Sequence, residues 1–188
     1  MRIIAGNFKG KKIFYPEDKE TRPLRDMVKE SIFNLIENSN KYNLKIDSSN
    51  ILDLFSGSGS FGLECMSRGA KKVFFFENYP QTLKVLKRNI YELKLSEKCK
   101  IFETNCLSFN EYEKINDEKF DIIFIDPPYK EKNINFLIER LLNKEMLSNN
   151  GIIIIHRHKK EIDEFPKNFQ LIDQKKYGIS KIIFGSYS

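Results

Sequence analysis

The stretch ILDLFSGSGSFG, residues 51–62, decides how this chain folds. Residues 51–55 are mostly apolar and predict a short buried strand, and residues 61–68, beyond a glycine-rich turn, predict a helix. Gly57, Gly59 and Gly62 have the G-x-G-x-x-G spacing of loops that let the backbone approach a nucleotide closely. Glu77 follows at the distance where an acid commonly binds a ribose. The stretch therefore predicts the first strand–loop–helix unit of a nucleotide-binding α/β sheet.

The same alternation continues along the chain. Six further strands are predicted over residues 72–76, 99–102, 120–125, 151–155, 169–174 and 180–184. Helices are predicted over residues 80–95 and 133–147, and the stretch before residue 114 is weakly helical or irregular. Strands that alternate with helices imply right-handed βαβ units and a parallel sheet. Because Tyr177-Gly178 separates the last two strands as a hairpin, we expect a mostly parallel seven-stranded sheet whose last strand is antiparallel.

A smaller unit is predicted in front of this core. Two apolar pairs, residues 3–4 and 13–14, are separated by Gly6 and Gly10 and predict a small β-hairpin. From Pro23, apolar residues recur at helical spacing and predict an amphipathic helix. No repeat or low-complexity linker divides the 188 residues, which suit one domain. We therefore expect a single α/β domain, residues 1–188, in which an extension, residues 1–38, is attached to a core, residues 50–188.

The charge of the chain favours a polyanionic partner. The formal net charge is +6 and the isoelectric point is near 9.1. Six basic side chains near the start of the chain are the candidates for this contact: Arg2, Lys9, Lys11, Lys12, Arg22 and Arg25. No acid stands among the first twelve residues, so this end of the chain is predicted to contact phosphates. The alternative is an ordinary solvated surface hairpin.

Composition argues against several classes of site. The apolar runs are too short to cross a bilayer, and no signal peptide opens the sequence, so we expect a cytoplasmic protein. Cys65, Cys99 and Cys106 are odd in number and lack C-x-x-C spacing, which argues against a disulfide framework or a zinc site. His156 and His158 have no further ligand-type neighbours in the sequence, so no metal is expected.

A second stretch, DIIFIDPPYK at residues 121–130, ends a predicted strand with an acid, two prolines and an aromatic residue. Proline fixes φ and has no N–H, so strand pairing is expected to stop there in a stiff loop whose carbonyls remain as acceptors. Asp126 and Tyr129 would then lie at the carboxyl end of a strand, where ligands bind in open α/β sheets. An ordinary proline-containing turn is the alternative.

Asp53 separates two classes of cofactor. A carboxylate entering the glycine loop would repel the pyrophosphate of a dinucleotide, whereas it suits the ammonium group of S-adenosylmethionine. Taken alone, the three glycines and Glu77 fit a nicotinamide cofactor equally well. The alternative role for Asp53 is to cap the helix that follows the loop.

These elements together resemble a known family. Asp53 and its loop, Glu77 and the DPPY element resemble the class I S-adenosylmethionine-dependent methyltransferases, and more closely the bacterial small-subunit rRNA guanine-N2 methyltransferases of the RsmD type. The similarity is carried by RIIAG at 2–6, RP at 22–23, KESIFN at 29–34, LDLFSGSGSFGLECMSRGA at 52–70, DPPY at 126–129 and Tyr177-Gly178. Leu24, Met27 and His156 depart from the pattern of the family.

The resemblance implies a Rossmann-like methyltransferase fold and methyl transfer from S-adenosylmethionine to the exocyclic 2-amino group of a guanine in 16S rRNA. In this interpretation the Asp126 carboxylate and the Pro127 carbonyl hold the amine hydrogens, Pro128 stiffens the loop, and Tyr129 stacks on the base. The cofactor residues that it implies are Asp53 at the methionine end, Phe55, Ser56, Gly57 and Gly59 in the loop, Glu77 on the ribose, and Asn78 beside the adenine. Asn105 and Cys106 match the adenine-contacting position, with Asn105 on the adenine amine and core packing as the alternative for Cys106.

Three other functions remain open from the sequence. A DNA adenine or a protein glutamine amide is compatible with the same loop. A nicotinamide-dependent oxidoreductase would use the glycines and Glu77 but would leave Asp53 and the DPPY element without a role. A non-catalytic RNA-binding module would fit the charge alone. The expected partner is 16S rRNA within a small-subunit particle, bound by a monomer without a metal or a membrane.

Overall fold

A seven-stranded sheet organises the computed structural model, which describes residues 1–17, 24–42 and 44–187. The strands are β1 Asn50–Leu54, β2 Lys72–Phe76, β3 Cys99–Phe102, β4 Phe120–Ile125, β5 Leu147–His158, β6 Phe169–Tyr177 and β7 Ser180–Tyr187. Their order across the sheet is β3-β2-β1-β4-β5-β7-β6. The first five strands pair in parallel, and β7 is antiparallel to both of its neighbours. The predicted sheet and its antiparallel last strand are therefore confirmed.

Within the described residues, four α-helices flank the sheet: α1 Asp26–Asn38, α2 Ser60–Ser67, α3 Pro80–Glu92 and α4 Ile134–Asn143. A 3₁₀ helix, Phe109–Ile115, occupies part of the stretch that was predicted to be weakly helical or irregular. Among the described residues, no helix is both long enough and apolar enough to span a bilayer. The sheet separates the hydrophobic core into two layers, one on each of its faces.

Two predicted helix ends were wrong. The helix predicted over 133–147 ends at Asn143, because Glu145 adopts a left-handed conformation (φ 50°) and Leu147 begins β5. The helix predicted to reach Leu95 ends at Glu92, and Lys94 is likewise left-handed (φ 57°). In both places the apolar spacing continues past a residue whose backbone cannot extend a helix.

The leading hairpin is smaller than predicted. A single antiparallel bridge joins Arg2 to Lys12, with flanking backbone hydrogen bonds from Ile3 N to Lys11 O (2.9 Å) and from Ile13 N to Met1 O (3.0 Å). The predicted start of the following helix at Pro23 lies outside the described residues, and α1 begins at Asp26.

Glu64 of α2 ties the N-terminal segment, residues 1–17, to the core. Its carboxylate is fully buried and accepts hydrogen bonds from Ile4 N (2.8 Å), Ala5 N (2.9 Å) and the Arg68 Nε (3.1 Å). Lys29 Nζ of α1 lies 3.5 Å from the same carboxylate. Since every contact is made by charged or backbone groups away from water, loss of any one partner would leave buried polarity unsatisfied.

Two buried side chains connect the N-terminal segment to the glycine loop. Lys29 Nζ donates to Arg2 O (2.9 Å) and to the Ser60 Oγ (3.2 Å), and burial lowers the pKa of Lys29. Asn89 of α3 exchanges two hydrogen bonds with the backbone of Phe14 and donates to Ser58 O (2.9 Å). The segment therefore packs on the same face of the sheet as the loop.

Candidate active site

The carboxyl ends of β1, β2 and β4 surround a cavity of about 650 Å³. Ten residues predicted from the sequence line it: Asp53, Phe55, Ser56, Gly57, Glu77, Asn78, Asp126, Pro127, Pro128 and Tyr129. Tyr15 from the N-terminal segment and Leu24 before α1 also line it, and the sequence did not predict them as site residues. Lys130 supplies a basic side chain at the same wall. The glycine loop and the DPPY loop, about 70 residues apart in the sequence, thus face one space.

A second hollow, of about 770 Å³, lies at the opposite edge of the sheet. It is lined by Asp121, Ser148 and neighbouring residues of β4 and β5. The Asp121 carboxylate there already accepts hydrogen bonds from Asn50 N (2.8 Å) and the Ser148 Oγ (2.9 Å). This hollow lies at the amino ends of the parallel strands, whereas ligands of open α/β sheets bind at the carboxyl ends. The cavity of about 650 Å³ is therefore the better candidate for a ligand site.

The three glycines of the loop serve different purposes. Gly57 has a left-handed φ of 56°, and a Cβ there would meet nothing within 4 Å, so its backbone is open to a ligand. Gly59 also has a positive φ (80°), but a Cβ there would lie 2.5 Å from a methyl of Leu86. A Cβ on Gly62 would lie 2.5 Å from the Phe75 ring. Gly57 therefore borders the cavity, whereas Gly59 and Gly62 permit close packing beneath the loop.

Asp53 is buried at the floor of the cavity, with 1% of its surface exposed. Its Oδ2 accepts a hydrogen bond from Gly62 N (3.0 Å), in the first turn of α2. Its Oδ1 is also buried and has no hydrogen-bond partner among the described residues. Desolvation raises the pKa of this carboxyl well above its usual range, with Asp126 and Glu77 adding repulsion. Asp53 therefore caps the helix with one oxygen, and its other oxygen has no hydrogen bond from the described residues although the residue lines the cavity.

Glu77 holds the loop to the start of α3. Its Oε2 accepts from Gly57 N (2.8 Å), and its Oε1 accepts from Asn78 N (2.9 Å) and Tyr79 N (2.8 Å). A carboxylate retains acceptor capacity beyond these three bonds, so the predicted contact with a ribose remains compatible with the geometry. The structure adds a second task, since Glu77 fixes the backbone on which the cofactor would lie.

The DPPY loop turns immediately after β4. Asp126 N donates to Leu54 O (3.3 Å), which seats the loop beside the end of β1. Pro128 O accepts from Glu131 N (2.9 Å), so the expectation that both proline carbonyls remain available was wrong for Pro128. That bond closes a turn and adds to the stiffness that the two fixed φ angles supply.

Two histidines of β5 support the DPPY loop, and the sequence analysis assigned neither of them a role. The Asp126 Oδ1 lies 2.9 Å from the Nδ1 of His156, and the Tyr129 ring meets His158 edge to face at 5.0 Å. His156 and His158 are two positions apart in one strand, so their side chains lie on the same face of the sheet. The i, i+2 spacing of two polar aromatic residues at the end of an isoleucine run was the signal available in the sequence.

Asn105 and Cys106 do not line the cavity described above. Asn105 is exposed, and its Oδ1 accepts from Leu107 N (2.9 Å) in a local turn. Cys106 is buried beneath the 3₁₀ helix, where its carbonyl accepts from the Tyr112 hydroxyl (3.0 Å) and burial raises the pKa of the thiol. Their contact with an adenine stays a prediction.

The basic side chains predicted to contact phosphates lie at the surface of the N-terminal segment and before α1. Arg2, Lys9, Lys11, Lys12 and Arg25 are exposed, and Arg22 lies outside the described residues. Lys12 Nζ lies 5.7 Å from the centre of the Phe14 ring, and the guanidinium of Arg88 from α3 lies 3.6 Å from the same ring. Arg88 therefore belongs to the same basic surface, although the sequence analysis did not include it.

The comparisons with known proteins identify the family of this chain and several of its relatives. The family model described as "Conserved hypothetical protein 95" matches residues 1–186. The chain is 36% identical to ribosomal RNA small subunit methyltransferase D of Buchnera aphidicola (92% of this chain, 86% of the relative) and 35% identical to the protein of that name from Haemophilus influenzae (95% and 90%). A solved structure of a candidate methylase from Haemophilus influenzae is 31% identical, with a TM-score of 0.73 over 98% of this chain and 96% of the other.

Proposed function

The chain belongs to the family described as "Conserved hypothetical protein 95", and from that membership we propose that it methylates small-subunit rRNA at the 2-amino group of a guanine. The methyl donor is S-adenosylmethionine. The observation that carries the proposal is the meeting of Asp53, with its unpartnered buried oxygen, and Asp126 of the DPPY loop in one cavity. One carboxylate suits a cationic cofactor and the other suits an amine acceptor.

The residues present fit the cofactor. S-adenosylmethionine supplies an electrophilic methyl group on a sulfonium and carries an ammonium group but no phosphate. The buried Oδ1 of Asp53 would accept from that ammonium, which supplies the partner that it lacks in the chain. Gly57 offers an open backbone surface, and Glu77 and Asn78 border the cavity where the ribose and adenine would lie. A charge-assisted hydrogen bond of this kind contributes about 1.5–3 kcal/mol.

Asp126 and Pro127 would orient the acceptor nitrogen. The lone pair of the guanine 2-amino group is conjugated into the ring, so the enzyme has to localise it by holding both amine hydrogens. The Asp126 carboxylate would accept one hydrogen and the Pro127 carbonyl the other. As the nitrogen becomes positively charged, the Asp126 carboxylate stabilises that charge. The same carboxylate then accepts the proton that the methylated amine loses. Correct placement of both reactants can lower the barrier by up to about 7–11 kcal/mol.

Tyr129 would hold the base after it leaves its stack. Its ring borders the cavity and is supported from the side by His158, so it offers a fixed aromatic face. Stacking of a base on such a ring contributes roughly 1–3 kcal/mol, which offsets the few kcal/mol needed to unstack a nucleotide. Tyr15 and Leu24 bring the N-terminal extension, residues 1–38, to the same cavity. We propose this extension as the part that contacts RNA.

We propose 16S rRNA in a partly assembled small subunit as the substrate and a cytoplasmic monomer as the active form. The decisive test incubates the purified protein with small subunits from a strain that lacks the gene and with methyl-labelled S-adenosylmethionine, followed by mass spectrometry of rRNA fragments. N2-methylguanine at one position is the expected product. Label in DNA adenine or in a glutamine amide under the same conditions would replace the proposed acceptor.

Asp126→Ala is expected to reduce turnover at least 10³-fold, because the amine loses both an acceptor and the group that stabilises its charge. Binding of S-adenosylmethionine, measured by calorimetry, is expected to stay within about threefold. The matched control is Asp121→Asn, since Asp121 lies on the same strand but at the opposite edge of the sheet. Turnover by Asp126→Ala at the rate of that control would remove Asp126 from the chemistry.

Charge reversal of Lys11 and Lys12 to glutamate is expected to weaken RNA binding and to reduce the slope of log K against log salt by about 1–2, because each phosphate contact contributes roughly 0.7–0.9. Reversal of Lys71 and Lys98 is the control, since both are exposed at the amino ends of β2 and β3, away from the cavity. Equal slopes for the two double variants would remove the N-terminal segment from the RNA interface.

A further inference from the structure

We infer that His156 is a positioning residue that holds the Asp126 carboxylate in its working orientation, and that Ser180 in turn fixes the histidine ring. The Nδ1 of His156 lies 2.9 Å from the Asp126 Oδ1, and its Nε2 lies 2.9 Å from the Ser180 Oγ. The inference rests on the proposed function, because it concerns the group that would hold the acceptor amine. It goes beyond that function in naming two residues to which the sequence analysis assigned no role.

The sheet topology brings the three residues together. Ile125 of β4 is in register with Ile155 of β5, so the residues that follow, Asp126 and His156, lie side by side and face the same side of the sheet. In the antiparallel pair of β5 with β7, Ser180 stands opposite His158, which places its hydroxyl diagonally beside His156. Three strands that are far apart in the sequence thus form one row of hydrogen bonds.

Burial makes this row specific. The side chain of His156 is 3% exposed and Ser180 is 4% exposed, whereas the Asp126 side chain is 14% exposed and borders the cavity. A carboxylate only accepts hydrogen bonds, so the proton must be on Nδ1 for the 2.9 Å contact to be favourable. In the neutral ring, Nε2 then accepts from the Ser180 hydroxyl. A ring flip would place a C–H against Asp126 and a C–H against Ser180, and both hydrogen bonds would be lost.

The consequence for the reaction is geometric. Asp126 follows directly on β4, and its side chain could otherwise adopt several rotamers at the rim of the cavity. A hydrogen bond from a buried donor restricts the carboxylate to one plane, which is the arrangement that a two-acceptor grip on an amine requires. A misplacement of about 1 Å in such a grip can lower the rate by about 10²-fold. His156 is not among the residues that line the cavity, so we infer that it acts through Asp126.

A structural role predicts a different pattern of defects. If His156 only filled the core, its loss would lower the free energy of unfolding and would not separate turnover from cofactor binding. If it positions Asp126, turnover falls while the dissociation constant for S-adenosylmethionine stays the same. His156→Asn distinguishes the two roles further, because the introduced amide can donate from nearly the position of Nδ1 but cannot reach Ser180.

The test compares His156→Leu, His156→Asn and Ser180→Ala with Ser186→Ala in the rRNA assay and in calorimetry with S-adenosylmethionine. Ser186 is the control because it lies on the same strand and donates to Gly151 O (3.0 Å) away from the cavity. We expect kcat to fall about 10²-fold for His156→Leu, about tenfold or less for His156→Asn and a few-fold for Ser180→Ala. Wild-type turnover by His156→Leu, or equal loss of turnover and cofactor binding in both histidine variants, overturns the inference.

A second readout does not depend on activity. Nitrogen-15 NMR of the histidine rings is expected to show the Nδ1–H tautomer for His156 in the wild type, and a changed signal in Asp126→Asn. The Nε2–H tautomer, or an unchanged signal, overturns the inference. Failure of the wild type to methylate rRNA would remove the proposed function but would leave this measurement as the judge of the Asp126–His156 pair.

Discussion

Glu64 and Asp53 are both buried carboxylates of the same strand–loop–helix unit, but their surroundings are opposite. Glu64 is 0% exposed, and both of its oxygens are engaged, by two backbone N–H groups of the N-terminal segment, by Arg68 and by Lys29. Asp53 is 1% exposed, and one of its two oxygens has no hydrogen-bond partner among the described residues. The chain therefore supplies hydrogen-bond partners for both oxygens of Glu64, but the described residues supply a partner for only one oxygen of Asp53.

From this difference we infer that the Glu64 carboxylate serves the fold, and we propose that the Asp53 carboxylate serves a ligand. A buried ionised group is tolerated when its hydrogen bonds are complete, and Glu64 meets that condition within the protein. Asp53 meets that condition only in part. Its raised pKa reflects the cost of desolvating the carboxylate, which the hydrogen bond from Gly62 only partly offsets. Asp53 lines the cavity, and in the proposed binding mode the ammonium group of S-adenosylmethionine would supply the donor that this oxygen lacks.

The largest effect is expected when the complete network is broken. Glu64→Ala would leave two backbone N–H groups without their acceptor and would remove a buried anionic partner of Lys29 and Arg68, so we expect the free energy of unfolding to fall by about 3–5 kcal/mol. For a domain of this size the thermal midpoint would fall by roughly 10 °C. Glu37→Ala is the control, because Glu37 pairs with the same Arg68 at 2.7 Å but is 40% exposed. That pair is expected to contribute less than about 1 kcal/mol.

Similar midpoints for Glu64→Ala and Glu37→Ala would contradict the view that the buried network anchors the N-terminal segment. Limited proteolysis gives a local measure of the same point. In Glu64→Ala, cleavage within residues 1–17 is expected to become faster than in the wild type, because Ile4 N and Ala5 N lose their shared acceptor.

An intermediate effect is expected at the incomplete carboxylate, and it has the opposite sign for stability. In Asp53→Asn the amide oxygen can still accept from Gly62 N, and the amide group carries no charge to desolvate. We expect the free energy of unfolding to rise by about 1 kcal/mol, which raises the thermal midpoint by a few degrees. The affinity for S-adenosylmethionine is expected to fall about 10- to 100-fold. Differential scanning fluorimetry and calorimetry measure the two quantities, with Asp121→Asn as control. A destabilised variant with unchanged affinity would reverse the assignment of Asp53.

The smallest effect is a dependence of stability on pH. The pKa of Asp53 is higher in the folded chain than in the unfolded chain, so between the two values the folded state binds more protons and stability falls as pH rises. Below the unfolded pKa, near 4, Asp53 is protonated in both states, and the wild type and Asp53→Asn should differ little. Their difference in unfolding free energy should grow as pH rises through the folded pKa and then stay constant.

Denaturant titrations of the wild type and Asp53→Asn between pH 4 and pH 8 measure this difference. Desolvation by burial is the main cause of the raised pKa of Asp53, and repulsion from Asp126 and Glu77 adds to it. A difference that is independent of pH would show that Asp53 has an ordinary pKa in the folded protein.

The sheet was predictable from the sequence to a large extent. Strands β2, β3 and β4 have the predicted bounds, because each is a short apolar or β-branched run between polar or turn-forming residues. Ten of the predicted site residues line one cavity, because the carboxyl ends of parallel strands meet at one edge of the sheet. Local pattern and topology were sufficient for these features.

Contacts between distant strands were not predictable in the same way. The pairing of Asp126 with His156 depends on the register of β4 against β5, and Ser180 reaches the ring only because β7 returns beside β5. The buried pair of Lys29 and Glu64 left a fainter signal. Glu64 is a charged residue within an apolar stretch of α2, and Lys29 lies three and four residues before the apolar Ile32 and Phe33 of α1. Such placement indicates a buried partner without identifying it.

The insertion of β7 between β5 and β6 has a consequence for biosynthesis. As the ribosome extends the chain, β5 and β6 emerge before the strand that joins them, so the isoleucine run at 152–155 exposes an unpaired hydrophobic edge during translation. An open edge of this kind invites pairing with another nascent chain. Chaperone dependence in the cell should therefore be governed by the arrival of residues 180–187 rather than by the formation of the glycine loop.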